Sequence, residues 1–186
     1  GRIYFKQKSL KKAYSAIKKS LFYNSENGEA YFFLGLIYFE KGEYEKSEQK
    51  YIEALNKNYD HWVIRKEIAR LFCRQKKYNK AIVELKKSIK INPDVGQLYF
   101  EIGNVIYHFQ KSSNKNRERA LSYFKKSLQK GFENDYLHYY IGTIFTNTGK
   151  YEKGLMHLDI AFKSEEISAL PHAIRKYCEC SQKIKK

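Results

Sequence analysis

At 186 residues, with 42% hydrophobic and 16% aromatic content, the chain is long enough to bury a sizeable core and too apolar to belong with disordered proteins. No apolar run approaches the roughly 18 residues of a membrane-spanning helix, so the uncharged stretch YFFLGLIYF at 31–39 is too short to span. The net charge of +16 comes from 29 lysines and 7 arginines in a chain rich in Asn, Ile, Tyr and Phe, which is how a low-GC bacterial genome writes proteins; lysine also reads phosphates and base edges less well than arginine, so the charge argues little for nucleic acid.

The chain opens in what reads as the middle of a helix, so residues 1–27 form a partial helix pair, and the whole reads as a fragment of a longer protein. From residue 28 a period of 34 sets in. Between 28–61 and 62–95, Gly35 falls on Ala69, Tyr38 on Phe72, Tyr44 on Tyr78, Ser47 on Ala81, Tyr51 on Leu85 and Ala54 on Ser88. The next unit, 96–134, puts Gly103 in the small-residue slot and is five residues longer, with the surplus in QKSSNKNRERA at 110–120. The last full unit, 135–168, puts Gly142 there. Residues 169–186 read as one amphipathic helix with Leu170, Ile174, Tyr177 and Ser181 on one face, either a cap or the first half of another pair.

Within each unit, apolar residues recur three and four apart in two stretches, interrupted by KGEY, QKKY or TGKY. That is a helix, a turn and an antiparallel helix. Only two prolines, Pro93 and Pro171, interrupt the helical patterns. A single pair cannot bury its own apolar face, so pairs must stack. The small slot lets the two helices approach, and Tyr38, Phe72 and Phe145 are placed to fill the wedge between units.

The pattern resembles the tetratricopeptide repeat family over nearly the whole chain. Residues 28–61 match its signature at Tyr31, Leu34, Gly35, Tyr38, Ser47, Tyr51 and Ala54, and 62–95 at Ile68, Ala69, Phe72, Ala81, Leu85, Ser88 and Pro93, with Arg65 departing at the bulky slot. The third unit matches at Tyr99, Ile102, Gly103, Ile106, Ala120, Phe124 and Ser127, and the fourth at Ile141, Gly142, Phe145, Gly154, Leu158 and Ala161. The resemblance implies an all-α fold, a right-handed α-α superhelix (solenoid) of stacked antiparallel helix pairs.

It also implies that the first helix of each pair lines a concave, partner-binding groove. The residues this assigns to the groove are Phe32, Phe33, Leu36 and Phe39, then Lys66, Arg70 and Arg74. Phe100, Asn104 and Tyr107 follow, then Tyr136, Tyr139, Tyr140 and Thr143. The groove would have aromatic ends and a basic middle. It would suit another protein, presenting an extended or helical segment with apolar and acidic residues. Two plainer expectations compete: Phe32 and Phe33 pack within the fold itself, and Lys66 and Arg70 are neutralised by Glu67 and Glu101. A family subset grips chaperone C-terminal carboxylates. Here Glu101, Tyr136 and Tyr140 stand where that clamp needs Asn, Lys and Arg, so the resemblance does not extend to it.

Charge by unit is uneven: +6 for 1–27, −3 for 28–61, +7 for 62–95, +4 for 96–134, −2 for 135–168 and +4 for the tail. Lysine pairs recur in phase at Lys18 and Lys19, Lys86 and Lys87, and Lys125 and Lys126. They read as a solvated convex face, or as a basic stripe for nucleic acid or anionic lipid. The polar segment 110–119 reads as a long loop. Three cysteines give no disulfide ladder, CEC at 178–180 is a poor metal signature, and the five histidines are scattered, so no metal or cofactor is expected. Phosphate-loop, nucleophile-elbow and zinc-protease motifs are missing. The sequence therefore reads as a non-catalytic protein-interaction scaffold, cytoplasmic or periplasmic. The alternatives are the basic stripe and a self-associating part of a bacterial envelope or motility assembly.

Overall fold

The computed structural model describes residues 1–109 and 113–184. Among them are twelve helices and no strand. The chain divides into two compact units, Gly1–Pro93 and Asp94–Lys186.

The first unit holds α1 (Arg2–Lys6), α2 (Leu10–Tyr23), α3 (Gly28–Glu40), α4 (Tyr44–Asn56), α5 (Trp62–Arg74) and α6 (Tyr78–Ile91). Consecutive helices pair as the period requires, α3 with α4 and α5 with α6. The small slot has a direct steric cause. A methyl group at Gly35 would sit 2.5 Å from the Tyr51 ring, so only glycine lets α4 press that ring onto α3. Ser47, in a slot where the family prefers alanine, donates its hydroxyl to the Gly35 carbonyl at 2.8 Å. Ser88 likewise donates to the Trp62 carbonyl at 2.7 Å. Both serines are fully buried and hydrogen-bonded, which removes the desolvation cost of a hydroxyl in a core. Tyr38 packs edge-on against Tyr14 of α2 at 6.3 Å, filling the wedge expected of it.

Turns between paired helices need one residue in the left-handed region. Gly42 (φ 77°) and Lys76 (φ 59°) supply it at equivalent places, as does Lys8 (φ 57°) before α2. Arg65, the departure from the family pattern, is explained by its partners. Its guanidinium makes two bonds to Asp60, at 2.7 and 2.6 Å, and one to Glu84 at 3.0 Å. The residue thus pins the start of α5 to α6 while holding the Asp60 carboxyl below the usual carboxylate range.

The second unit holds α7 (Gly96–Phe109), α8 (Asn114–Gln129), α9 (Asp135–Asn147), α10 (Tyr151–Ala161), α11 (Glu165–Ser168) and α12 (Pro171–Ile184). Gly103 faces Phe124, and Gly142 faces Leu158, in the same tight fit. Ser127 donates to the Gly96 carbonyl at 3.0 Å. Gly149 (φ 75°) takes the turn position.

Two expectations change here. Most of the segment read as a long loop, 110–119, is helix: α8 starts at Asn114, capped by the Ser113 hydroxyl, which accepts from the Asn116 N–H at 3.2 Å. Residues 110–112 of that segment lie outside the described residues. On α12 the inward face is Ala173, Tyr177 and Cys180, joined by Leu170 just before the helix, while Ile174 is 45% exposed. The reason is Cys180, whose thiol donates to the Tyr151 carbonyl at 2.8 Å and receives a bond from Thr146 at 3.4 Å.

Candidate functional site

In the first unit, α3 and α5 carry the residues assigned to the groove. Phe32, Leu36 and Phe39 are buried, in one cluster with Ile64, Ile68 and Leu71 of α5. These three are therefore core residues rather than groove surface. The Phe32 ring packs between Tyr51 and Tyr59, at 6.0 and 5.5 Å, and the Arg70 guanidinium lies 4.3 Å over the Phe39 ring. Phe33 is half-buried and meets Phe5 edge-on at 5.9 Å.

The basic middle is also internally engaged. The Glu67 carboxylate, buried beneath the surface, takes an ion pair from Lys66 at 3.5 Å and one from Arg70 at 3.3 Å. Arg70 makes a second pair with Glu40 at 3.2 Å. Neutralisation through Glu67 was expected; the second carboxylate, Glu40, was not. Arg74 stands exposed at the end of α5.

The second unit is different. On α7, Phe100, Asn104 and Tyr107 are all half-buried. Tyr140 of α9 sits at the centre of an aromatic array: Phe100 lies stacked at 6.4 Å, Tyr107 at 5.1 Å, His108 edge-on at 5.0 Å and Tyr136 at 6.2 Å. Burial first, then the neighbouring tyrosines, pushes the phenols of Tyr107 and Tyr140 up to about 12. They are neutral donors at any physiological pH. On α7, between Phe100 and Tyr107 in sequence, the Asn104 Oδ1 is buried without a hydrogen-bond partner. The Thr143 hydroxyl is buried too; it lies beside the Tyr107 and Tyr139 hydroxyls but completes no hydrogen bond with either.

Tyr139 and Thr143 are not open surface. Tyr139 joins the cluster formed with Ile167, Ala173 and Cys180, because α11 and α12 fold over α9. Tyr136 stays half-exposed, its hydroxyl bonded to the Glu166 carboxylate of α11.

The tetratricopeptide repeat pattern of the family matches residues 28–61. The TPR repeat-containing protein MJ1428 of Methanocaldococcus jannaschii is 26% identical over 136 residues, covering 72% of this chain. Among solved structures, PilF of Pseudomonas aeruginosa superposes with a TM-score of 0.77 at 14% identity, over 98% of this chain and 86% of its own. YrrB, described as a TPR protein with an unusual peptide-binding site, gives 0.68 at 17% identity over 100% and 88%. MamA of Desulfovibrio magneticus gives 0.72 at 14% over 91% and 93%.

Residues 28–61 carry a tetratricopeptide repeat, and the chain has the fold of proteins built from such repeats.

This fold is generally that of a protein-interaction scaffold. The chain spans 23% of the length of MJ1428, the curated relative it matches. Among the described residues, no helix is long and apolar enough to cross a membrane, and no group of three His, Cys, Asp or Glu is placed to hold a metal ion. Lys18, Lys19, Lys86, Lys87, Lys125 and Lys126 are all exposed. Three of the six have local partners. Lys87 pairs with Glu84 at 2.6 Å, Lys18 lies 5.9 Å over Tyr14, and Lys125 lies 5.7 Å over Phe145. One constellation was missed from the sequence. His138 and His157, read there as scattered, face each other across α9 and α10 with their Nδ1 atoms 2.9 Å apart. Their separation of 19 residues places them on successive helices, where no periodicity within one helix could reveal them.

Proposed function

We propose that this chain is a non-catalytic scaffold that holds a segment of another protein against the first helices of its repeats, with the α7 and α9 aromatic array as its main anchor. The observation that carries this is the half-exposed cluster of Phe100, Tyr107 and Tyr136 around Tyr140. Aromatic rings with polar tips give a partner large contact area at small entropic cost. A structure of the same fold, YrrB, is described as having a peptide-binding site. The partner segment is extended or helical and brings apolar anchors. Its acidic residues matter less than the sequence suggests, since Lys66 and Arg70 already have Glu67 and Glu40.

Affinity capture from the source cell tests this, with variants first matched to wild type by their helical melting curves. Losing one ring of the array removes about 1.5–3 kcal/mol, a roughly 10- to 150-fold weakening. Tyr140→Ala and Tyr107→Ala should lose a partner that Arg70→Glu retains. Retention by all three places binding elsewhere and overturns the reading.

A second reading, self-association, is favoured by Phe22 and Tyr23 at the end of α2, which are 84% and 75% exposed and pack edge-on against each other at 5.4 Å. Sedimentation at rising concentration separates the two: a Phe22→Ser, Tyr23→Ser variant that associates as wild type does would remove this second reading.

A further inference from the structure

Glu133, His138 and His157 are linked by two hydrogen bonds between the α8–α9 connection, α9 and α10. The His138 Nε2 is 2.7 Å from the Glu133 carboxylate, and its Nδ1 is 2.9 Å from the His157 Nδ1. The rings lie 5.1 Å apart at 30°. His138 is 5% exposed, so solvent cannot replace either partner without movement.

The protons in this chain follow from chemistry. A carboxylate only accepts, so His138 carries its proton on Nε2 and turns a bare Nδ1 toward α10. One proton must lie between the two Nδ1 atoms, so His157 carries Nδ1–H and donates it. A first added proton can go to the Nε2 of His157 and leave both bonds intact. A second has only the Nδ1 of His138 to go to, and would set N–H against N–H at this separation.

We infer that the His138–His157 pair is an acid-sensitive catch between α9 and α10, closed near neutral pH and forced apart when both rings become charged. The charged and titratable groups facing the pair are Lys125 from α8 and Glu133 from the connection; the Phe145 ring packs on His157 at 5.9 Å. Burial, then His138 and Lys125, holds His157 below its ordinary value of 6.5. The folded chain therefore prefers the uncharged ring. This stabilisation is fully present above the unfolded value of 6.5 and is lost as the pH falls through the lower, folded value. Glu133 accepts from the His138 Nε2–H throughout and cannot relieve the clash created by the second proton.

Thermal unfolding of the full chain at pH 7.5 and pH 5.0 tests this with four proteins: wild type, His138→Gln, His157→Gln and His108→Gln. His108 is included because burial lowers it in the same direction from α7. Wild type should lose about 2–4 °C more in Tm between the two pH values than either His138→Gln or His157→Gln. His108→Gln should keep most of the wild-type drop. Nitrogen chemical shifts of the wild-type histidine rings should report Nε2–H for His138 and Nδ1–H for His157 at pH 7.5. Equal drops in wild type and His157→Gln, a drop flattened only by His108→Gln, or an Nδ1–H tautomer at His138 would each overturn the proposal.

Discussion

Glu67 on α5 and Tyr140 on α9 occupy the same place in their repeats, one in each unit, and the surfaces around them are opposite in kind. Glu67 is buried between Lys66 and Arg70, and the apolar trio on the preceding helix, Phe32, Leu36 and Phe39, closes against α5 as core. Tyr140 instead packs on two of the residues at the equivalent places of α7, Phe100 and Tyr107, and the trio they form with Asn104 stays half-buried. A residue's slot in the repeat sets the direction of its side chain. Whether that direction ends in core or in accessible surface is decided by the next helix. Ile64, Ile68 and Leu71 cover the first trio, whereas the amide of Asn104 interrupts the second.

The largest expected effect breaks or confirms this contrast directly. Phe32→Ala should destabilise the protein by about 3–5 kcal/mol, as full burial of a large side chain predicts. Phe100→Ala, at the equivalent place but only half-buried, should cost roughly half as much. Urea unfolding of both variants checks the ratio; equal losses would mean that the two trios are used alike. Removing both cationic partners of Glu67 with Lys66→Met and Arg70→Met comes next. It leaves a buried carboxylate unpaired and should cost about 1–3 kcal/mol in the same assay. A neutral result would show that Glu67 reaches water, and that the first unit's charged surface is looser than described.

The array makes a spectroscopic prediction as well. With Tyr107 and Tyr140 pushed up to about 12, they should ionise after the exposed tyrosines in an alkaline absorbance titration. Tyr107→Phe and Tyr140→Phe should each remove amplitude from that late phase only. Loss from the early phase would mean that the rings are more solvated than their packing implies.

Much of this was legible in the chain because the repeat fixes it locally. A period of 34, a small residue opposite a large one and a left-handed turn residue are each statements about neighbours in sequence or one helix away, and Gly35 against Tyr51 is the plainest case. What was not legible depends on a second neighbour. Phe32 looked free because helical spacing alone could not show that Tyr59 and the α5 residues of the next pair close over it. Ile174 looked buried because helical spacing alone could not show that Cys180 and Ala173 have the better partners. The polar stretch after residue 113 looked like loop, yet Ser113 caps a helix there. His138 and His157 meet only because α9 and α10 are antiparallel neighbours.

The smallest effect concerns the turns, where the two units again differ. The second unit holds its left-handed position between α9 and α10 with Gly149, at φ 75°, while the first holds the equivalent position between α5 and α6 with Lys76, at φ 59°. A side chain in that region brings Cβ close to the following carbonyl, a cost of about 1–2 kcal/mol that glycine avoids. Glycine also loses more freedom on folding, by roughly 0.5–1 kcal/mol, which offsets part of the gain. Lys76→Gly should therefore stabilise the chain by no more than about 1 kcal/mol, or about 2–4 °C in Tm. Gly149→Ala should destabilise by a similar amount, because a methyl group there meets no neighbour and only the backbone conformation is strained. Opposite signs from the two substitutions would show that the turns are equivalent and differ only in the residue placed there. A loss from Lys76→Gly would mean that the lysine side chain itself contributes to the first unit, by contacts that outweigh its backbone strain.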